Sequence, residues 1–263
     1  MMKLSVITVC YNDKSGLTRT LESVDRQTCK EFQYIVIDGA SEDGSCELLA
    51  QYGEMIDYKV SEKDNGIYNA MNKGIAQADG EYCLFLNAGD SFYSDDTIEN
   101  VLPLLEGADF ISGDTLCTFA DGRHDVWSAV SQPTTYLMAV YSLSHQATFI
   151  RTSLLKQRPY REDLRIVSDW EQMFFELIIK DRTYKKIEKF VCRFAQGGVS
   201  SSQKENREKE RQKVLDEHFS KRMQHDLVHP NLLVRIATLA DVESNYFKVL
   251  EFTARGIRKL FNK

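Results

Sequence analysis

Acidic and amide side chains stand at the ends of short apolar runs in this chain. Tyr11, Asn12 and Asp13 follow the run of residues 4–10, and Asp38, Glu42 and Asp43 follow that of residues 32–37. Glu62, Asp64 and Asn65 follow residues 56–60, and Asn87 and Asp90 follow residues 82–86. If the runs are neighbouring strands, these four ends converge on one edge and form a candidate nucleotide site; ordinary polar loops are the alternative reading. A second cluster, Ser168-Asp169-Trp170-Glu171, opens a segment whose Met173, Phe174, Leu177 and Ile178 make an apolar helical face. Ser168 and Glu171 have capping-box spacing, and Asp169 sits where the helix dipole favours an acid. A carboxylate at that position is held rigidly and its pKa is lowered, which limits its strength as a base. His145 and Gln146 precede another apolar run. A histidine there suits a phosphate, a metal or an acceptor site, or a purely structural role.

The elements that position these groups follow from periodicity. Residues 4–10 form a β-branched run, read as a buried strand, and Leu17, Leu21 and Val24 keep the spacing of a helix crossing back. Strands are expected at residues 32–37, 56–60, 82–86 and 110–112, with helices near 46–52, 67–78 and 98–105. Alternation with short connections implies a mostly parallel sheet with helices on both faces, whose ligands bind at the carboxyl ends of the strands. The second half is less regular. A hairpin turning at Asp121-Gly122 is expected over 116–127, strands over 145–150 and 184–194, a helix over 168–179, and a solvated helix in the charge-dense stretch 203–225.

Composition bounds the class. The 263 residues are 43% hydrophobic and 27% charged, which excludes a disordered chain. The net charge of −6 argues against a globally basic nucleic-acid binder. Six cysteines form no CxxC pair, so no zinc knuckle or redox motif is expected, and Cys10 and Cys83 read as small core residues. With neither a signal-like start nor an apolar run long enough to span a bilayer, the expected location is cytoplasmic.

Five strings in fixed order are more specific. They are Ser5-Val-Ile-Thr-Val-Cys-Tyr-Asn12, Ser23-Val-Asp-Arg-Gln-Thr28, Phe32-Gln-Tyr-Ile-Val-Ile-Asp-Gly-Ala-Ser-Glu-Asp-Gly44, Asp64-Asn-Gly-Ile-Tyr-Asn-Ala-Met-Asn-Lys-Gly74 and Gly80-Glu-Tyr-Cys-Leu-Phe-Leu-Asn-Ala-Gly-Asp90. Together, over residues 3–200, they resemble the family 2 glycosyltransferases, and within them bacterial transferases of colanic-acid and capsular polysaccharide assembly. The resemblance implies an α/β fold of the GT-A type, Rossmann-like, with a C-terminal helical extension. Residues 1–202 would be the transferase domain, with 1–113 the nucleotide-binding half and 114–202 the acceptor half; residues 203–263 would be the extension. The implied reaction moves a sugar, with inversion, from a nucleotide-diphospho-sugar (UDP-linked) to a hydroxyl of a saccharide or lipid-linked saccharide.

Carried over by position, the resemblance makes Val9 and Tyr11 the lining of base and ribose. Asp38 becomes the acid that binds the base, with capping of the next turn as its other role. Asp64 touches the donor, and Lys73 lies near the phosphates or on the plain surface. Asn87 to Asp90 align with the region that holds a divalent cation, Mg²⁺ or Mn²⁺, and the diphosphate. Here Asn87 and Gly89 depart from the family's acids, leaving Asp90, with His145, as the metal-ligand candidates. Asp169 becomes the catalytic base, His145 a phosphate or acceptor residue, and Trp170 either a sugar-stacking ring or core packing. The stretch Gly197-Gly198-Val-Ser-Ser-Ser202 resembles a loop that closes over the donor, or is a linker. Two alternatives stand beside this reading. A sugar-nucleotide pyrophosphorylase wants a glycine-rich loop after the first strand, where Tyr11-Asn-Asp-Lys-Ser-Gly16 has a single glycine. A non-catalytic sugar-binding scaffold is consistent with the missing acids at 87 and 89.

Charge is uneven. Residues 229–263 carry +3 and the first 228 carry −9. The tail mixes Tyr246, Phe247, Leu250, Phe252, Ile257, Leu260 and Phe261 with Lys248, Arg255, Arg258 and Lys259. This pattern suits an anionic membrane surface, with the protein peripheral on its inner face, or docking on a second copy or on its own core. Deleting residues 229–263 is expected to abolish sedimentation of the protein with phosphatidylglycerol-containing liposomes; undiminished sedimentation would reject the membrane role.

Overall fold

The computed structural model describes residues 2–119, 121–195 and 203–228. Strand β1 (Leu4–Cys10) is buried along its whole length, as a central parallel strand covered on both faces must be. Asp13 caps the helix that follows, α1 (Lys14–Asp25), accepting from the Gly16 amide at 2.8 Å. The alternation then runs β2 (Gln33–Asp38), α2 (Ser45–Gln51), β3 (Tyr58–Ser61), α3 (Ile67–Gln77) and β4 (Tyr82–Phe85). These strands are parallel in the order β3-β2-β1-β4, so their carboxyl ends share one edge as expected.

The second half continues the same sheet with mixed directions. It contains β5 (Ser91–Phe92), α4 (Thr97–Val101), β6 (Phe110–Thr118), β7 (His124–Trp127), α5 (Thr135–Val140), β8 (Thr148–Arg151), α6 (Thr152–Gln157), α7 (Ser168–Phe174) and β9 (Tyr184–Ala195). The full order is β3-β2-β1-β4-β8-β6-β9-β5, with β7 on β6. Strand β8 runs antiparallel to both β4 and β6, so the parallel half ends there. The hairpin at Asp121-Gly122 is present as β6–β7.

Alternate residues of β1 divide between two apolar layers. Ile7 and Val9 join Ile35, Met71, Phe85, Trp170 and Phe174 on one face. Leu4, Val6 and Cys10 join Leu17, Leu21, Tyr34, Ile98 and Phe149 on the other. Helices cover both faces. A charged pair of helices, α8 (Lys204–His218) and α9 (Lys221–Val228), replaces the single solvated helix expected. Val214 and Leu215 of α8 enter the first layer. Glu210 accepts from the backbone amides of Arg165 and Ile166 at 2.8 and 2.9 Å, and Arg211 lies over the Trp170 ring at 4.7 Å. Helix α8 thereby fixes the loop that leads into α7. No helix among the described residues is long and apolar enough to cross a membrane.

Three local expectations are corrected. Residues 145–147 form a 3-10 turn before β8, not its first part. The helix from Ser168 ends as a π-helical turn, Phe175–Ile179. The capping box at Ser168 and Glu171 is not formed. Val167 is the N-cap, Ser168 Oγ is buried without a partner among the described residues, and the buried Glu171 carboxylate faces Arg158, with Arg161 at 3.8 Å. A capping acid needs an exposed backbone N–H to reach; here burial makes the guanidinium the stronger partner. The short elements β5, α5 and α6 carry no periodicity long enough to read in the sequence.

The Glu171 pair generates a stability prediction. Arg158→Met strands a charge that is fully buried, and is expected to cost about 3 kcal/mol in urea unfolding. Adding Glu171→Leu should recover most of that loss; an unchanged single variant would show the pair to be dispensable.

Candidate active site

Two of the strand ends turn through left-handed backbone at residues that are not glycine, Asn12 (φ 50°) and Ala40 (φ 61°). Such residues cost free energy and persist where surrounding structure over-determines them. Here the lock is reciprocal. Asn12 Oδ1 accepts from the Glu42 amide at 2.9 Å, and the Asn12 amide donates to Ser41 Oγ at 2.8 Å. Asp38, fully buried, accepts from the Ser41 amide and from the hydroxyls of Ser41 and Ser61. Its carboxylate therefore performs the turn-capping role that the sequence left open.

Val9 is buried in β1, whereas Tyr11 just beyond it is 67% exposed and free to meet a planar ligand. Asp64 Oδ1 holds the Gly66 amide at 2.8 Å, in a turn where Gly66 has φ +116° and starts α3. Lys73 is brought to Glu62 (2.7 Å) and the Lys63 carbonyl (3.0 Å) at the end of β3, so its ammonium is already engaged.

The other candidates meet on one hydrogen-bonded chain. Asp169, second residue of α7, accepts from Tyr68 Oη at 2.7 Å and from His145 Nδ1 at 3.0 Å. On the far side of the imidazole, Asn87 Nδ2 lies 3.4 Å from His145 Nε2. Burial raises the pKa of Asp169, but the hydrogen bond and charge of His145, with Tyr68, outweigh it and hold the carboxyl below its usual range. Burial lowers the pKa of His145, but Asp169 and then Asp90 outweigh it and hold it above its ordinary value. With Nδ1–H donated to Asp169, the neutral ring leaves Nε2 to accept from the Asn87 amide. Tyr68 is driven well above its ordinary value, by burial first and then by the Asp169 charge, and stays a donor. Tyr68 was not singled out from the sequence, although it lies within the Asp64 string; a tyrosine in the first turn of a helix beginning at a strand end was its signal.

Asp90 is 7% exposed, and burial pushes its pKa up to about 7 against the pull of His145 and the Asn87 backbone. Asn87 Oδ1 is buried and unpartnered among the described residues. The turn between them is made by Gly89 at φ +100°. One carboxylate and one orphan amide oxygen are hard donors. They fit a Mg²⁺ or Mn²⁺ that completes its shell with phosphate oxygens and water, rather than a cage made by protein alone. Consistent with that, the described residues hold no cluster of three or more His, Cys, Asp or Glu side chains suited to a metal.

Of the two roles open to Trp170, a sugar-stacking ring or core packing, the structure shows packing. It is 2% exposed, its Nε1 donates to the Met138 carbonyl at 2.6 Å, and Phe174 and Arg211 lie against its ring. The Gly197 to Ser202 loop and the basic tail lie outside the described residues.

Comparison with known proteins identifies the family and the fold. The model of the family "Glycosyl transferase family 2" matches residues 5–164. An uncharacterised glycosyltransferase of Mycobacterium tuberculosis is 32% identical over 205 residues, 75% of this chain and 77% of its own. A PGL/p-HBAD biosynthesis glycosyltransferase of Mycobacterium bovis is 30% identical over 174 residues. That match covers 64% of this chain and 66%, just under two thirds, of the relative. Among solved structures, residues 1–349 of Staphylococcus aureus TarS with UDP-GlcNAc align at TM-score 0.60 and 20% identity, covering 91% of this chain and 79% of that one. A mannosyltransferase of Pyrobaculum calidifontis with GDP-Man and Mn²⁺ aligns at TM-score 0.64 and 16% identity, covering 97% and 80%. At these identities the two structures speak for the fold, a GT-A fold. The chain belongs to glycosyl transferase family 2.

Proposed function

We propose that this chain transfers a sugar, with inversion, from a UDP-linked nucleotide-diphospho-sugar to a hydroxyl of a saccharide or lipid-linked saccharide in polysaccharide assembly. The observation that carries the reading is Asp169, held between Tyr68 and His145 and joined through His145 and Asn87 to the turn that ends in Asp90. The donor would lie along the strand ends, with its base near Tyr11 and the 38–43 turn, and its diphosphate toward Asn87 and Asp90. The solved relatives with UDP-GlcNAc and with GDP-Man support a nucleotide-sugar donor.

The chemistry follows from the charges. Asp169 is ionised across the working pH range, since its pKa lies below the usual carboxylate range. A carboxylate held low is a weak base toward a resting alcohol, so the proton moves as the new bond forms and the hydroxyl becomes acidic. The acceptor oxygen attacks the anomeric carbon from the side opposite the diphosphate. The bond to the diphosphate oxygen breaks with its electron pair, and the acceptor proton passes to Asp169. A single displacement of this kind inverts the anomeric centre. Tyr68 and His145 orient the carboxylate by donating to it from two sides. A divalent cation held by Asp90 and Asn87 Oδ1 would supply further charge neutralisation for the leaving group. Placement at the inner face of a membrane would bring the site to a lipid-linked acceptor.

Two measurements test this. Asp169→Asn should lower turnover by about 10²–10⁴-fold while leaving UDP affinity unchanged in calorimetry; retained turnover rejects the base. UDP should bind in preference to GDP and CDP, and both chelation by EDTA and Asp90→Asn should weaken it. Failure of all three nucleotides to bind would reject the donor site.

A further inference from the structure

Two aromatic rings meet on the strands of the second half, near the turn that carries His145. In the second half the strands run β5, β9, β6, β7, and pairing sets Phe92, Cys192, Thr115 and Trp127 in one row. Side chains paired across neighbouring strands project from the same face, so Trp127 shares the face of Thr115 and Cys192. That face reaches the turn that carries His145. Thr115 Oγ1 lies 2.8 Å from the hydroxyl of Ser144, the residue before His145, and Cys192 feels the charge of Asp90. One step along, Phe194, Cys117 and Asp125 form the next row. The rings of Trp127 and Phe194 meet with centroids 5.4 Å apart at 38°, with the fully buried Cys117 on the strand between them.

Trp127 and Phe194 are each only partly buried. A tryptophan left partly open beside polar groups presents an apolar face of the size of a sugar ring. Saccharides offer C–H faces between hydroxyls, and sites that take them combine an aromatic surface with a few polar groups. Asp125, on the same face, supplies such a group. Trp127 is one strand spacing, about 5 Å, from Thr115, and Thr115 touches the turn that carries His145. The donor is expected on the opposite side, along β1 to β4, so these rings face the acceptor side.

We propose that Trp127 and Phe194 form a saccharide platform, holding the sugar unit of the acceptor that adjoins the reacting one and so presenting its hydroxyl to Asp169. This rests on the sugar-transfer reading and adds to it that the acceptor is recognised as a saccharide rather than through a lipid alone. The competing role, rings that do no more than shield Cys117, makes no demand on sugar.

The chain has two tryptophans, and Trp170 is 2% exposed. Acrylamide quenching of the intact protein's fluorescence therefore reports on Trp127. With UDP bound, a panel of cellobiose, chitobiose, maltose and lactose should include at least one disaccharide that protects Trp127 from quenching. Phe194→Ala should weaken that disaccharide by about tenfold while UDP affinity is kept; Trp127→Phe, judged by competition and by an unchanged melting temperature, should weaken it less. Nucleotide binding without protection by any of the four overturns the platform and leaves the donor site standing. Absence of nucleotide binding overturns the sugar-transfer reading itself.

Discussion

Asp169 stays a buried carboxylate only because two donors from distant parts of the chain hold it. Tyr68 reaches it from the first turn of α3, and His145 from the turn before β8. A buried carboxylate without partners would take up a proton, because desolvation disfavours its charged form. Here the partners more than offset that penalty, and the group stays ionised. The same bonds fix the distance between the parallel half, which supplies α3, and the second half, which supplies His145 and α7. The sheet could tolerate small shifts between its halves; this carboxylate could not.

The meeting of the halves has a topological cause. Strands β1 to β4 are parallel and each delivers a polar turn to one edge. Strand β8 then runs antiparallel to β4, so the turn entering β8 arrives at the edge that β4 leaves. Asn87 ends one strand, His145 precedes the other, and they come within 3.4 Å. Reversal of one strand thus places an imidazole beside the turn at Asn87 to Asp90 without any long loop. Helix α8 completes the arrangement from behind, since Glu210 occupies the backbone amides just ahead of α7.

The parallel half was legible in the sequence because its strands are short, apolar and bounded by polar turns, and because βα alternation permits few topologies. The four polar strand ends, Asp169 and His145 were all visible as candidates for the same reason. What was not legible depends on partners far away in the chain. The Asp169–Tyr68 bond joins residues 101 apart, and the place of Tyr68 in a first helical turn does not say which carboxylate it meets. Trp170 follows Asp169 directly, yet on a helix adjacent residues face different ways, and this one faces the Met138 carbonyl. The capping box at Ser168 has the right spacing and fails because Arg158 claims Glu171. The second half resisted reading because β6 and β9 slip register between Ser112 and Thr115, which breaks the alternation that marks a strand.

The single acid at the Asn87–Asp90 turn has an electrostatic counterpart. A turn with two carboxylates repels a diphosphate unless a cation is present, so donor binding and metal binding become inseparable. Here one of those positions is an amide, and burial pushes the pKa of Asp90 up to about 7. Less negative charge has to be neutralised before the phosphates can approach. The same turn reaches Asp169 through one imidazole, since Asn87 Nδ2 lies 3.4 Å from His145 Nε2 and His145 Nδ1 donates to the carboxylate, so a change at the Asn87–Asp90 turn is felt at Asp169 through a single ring.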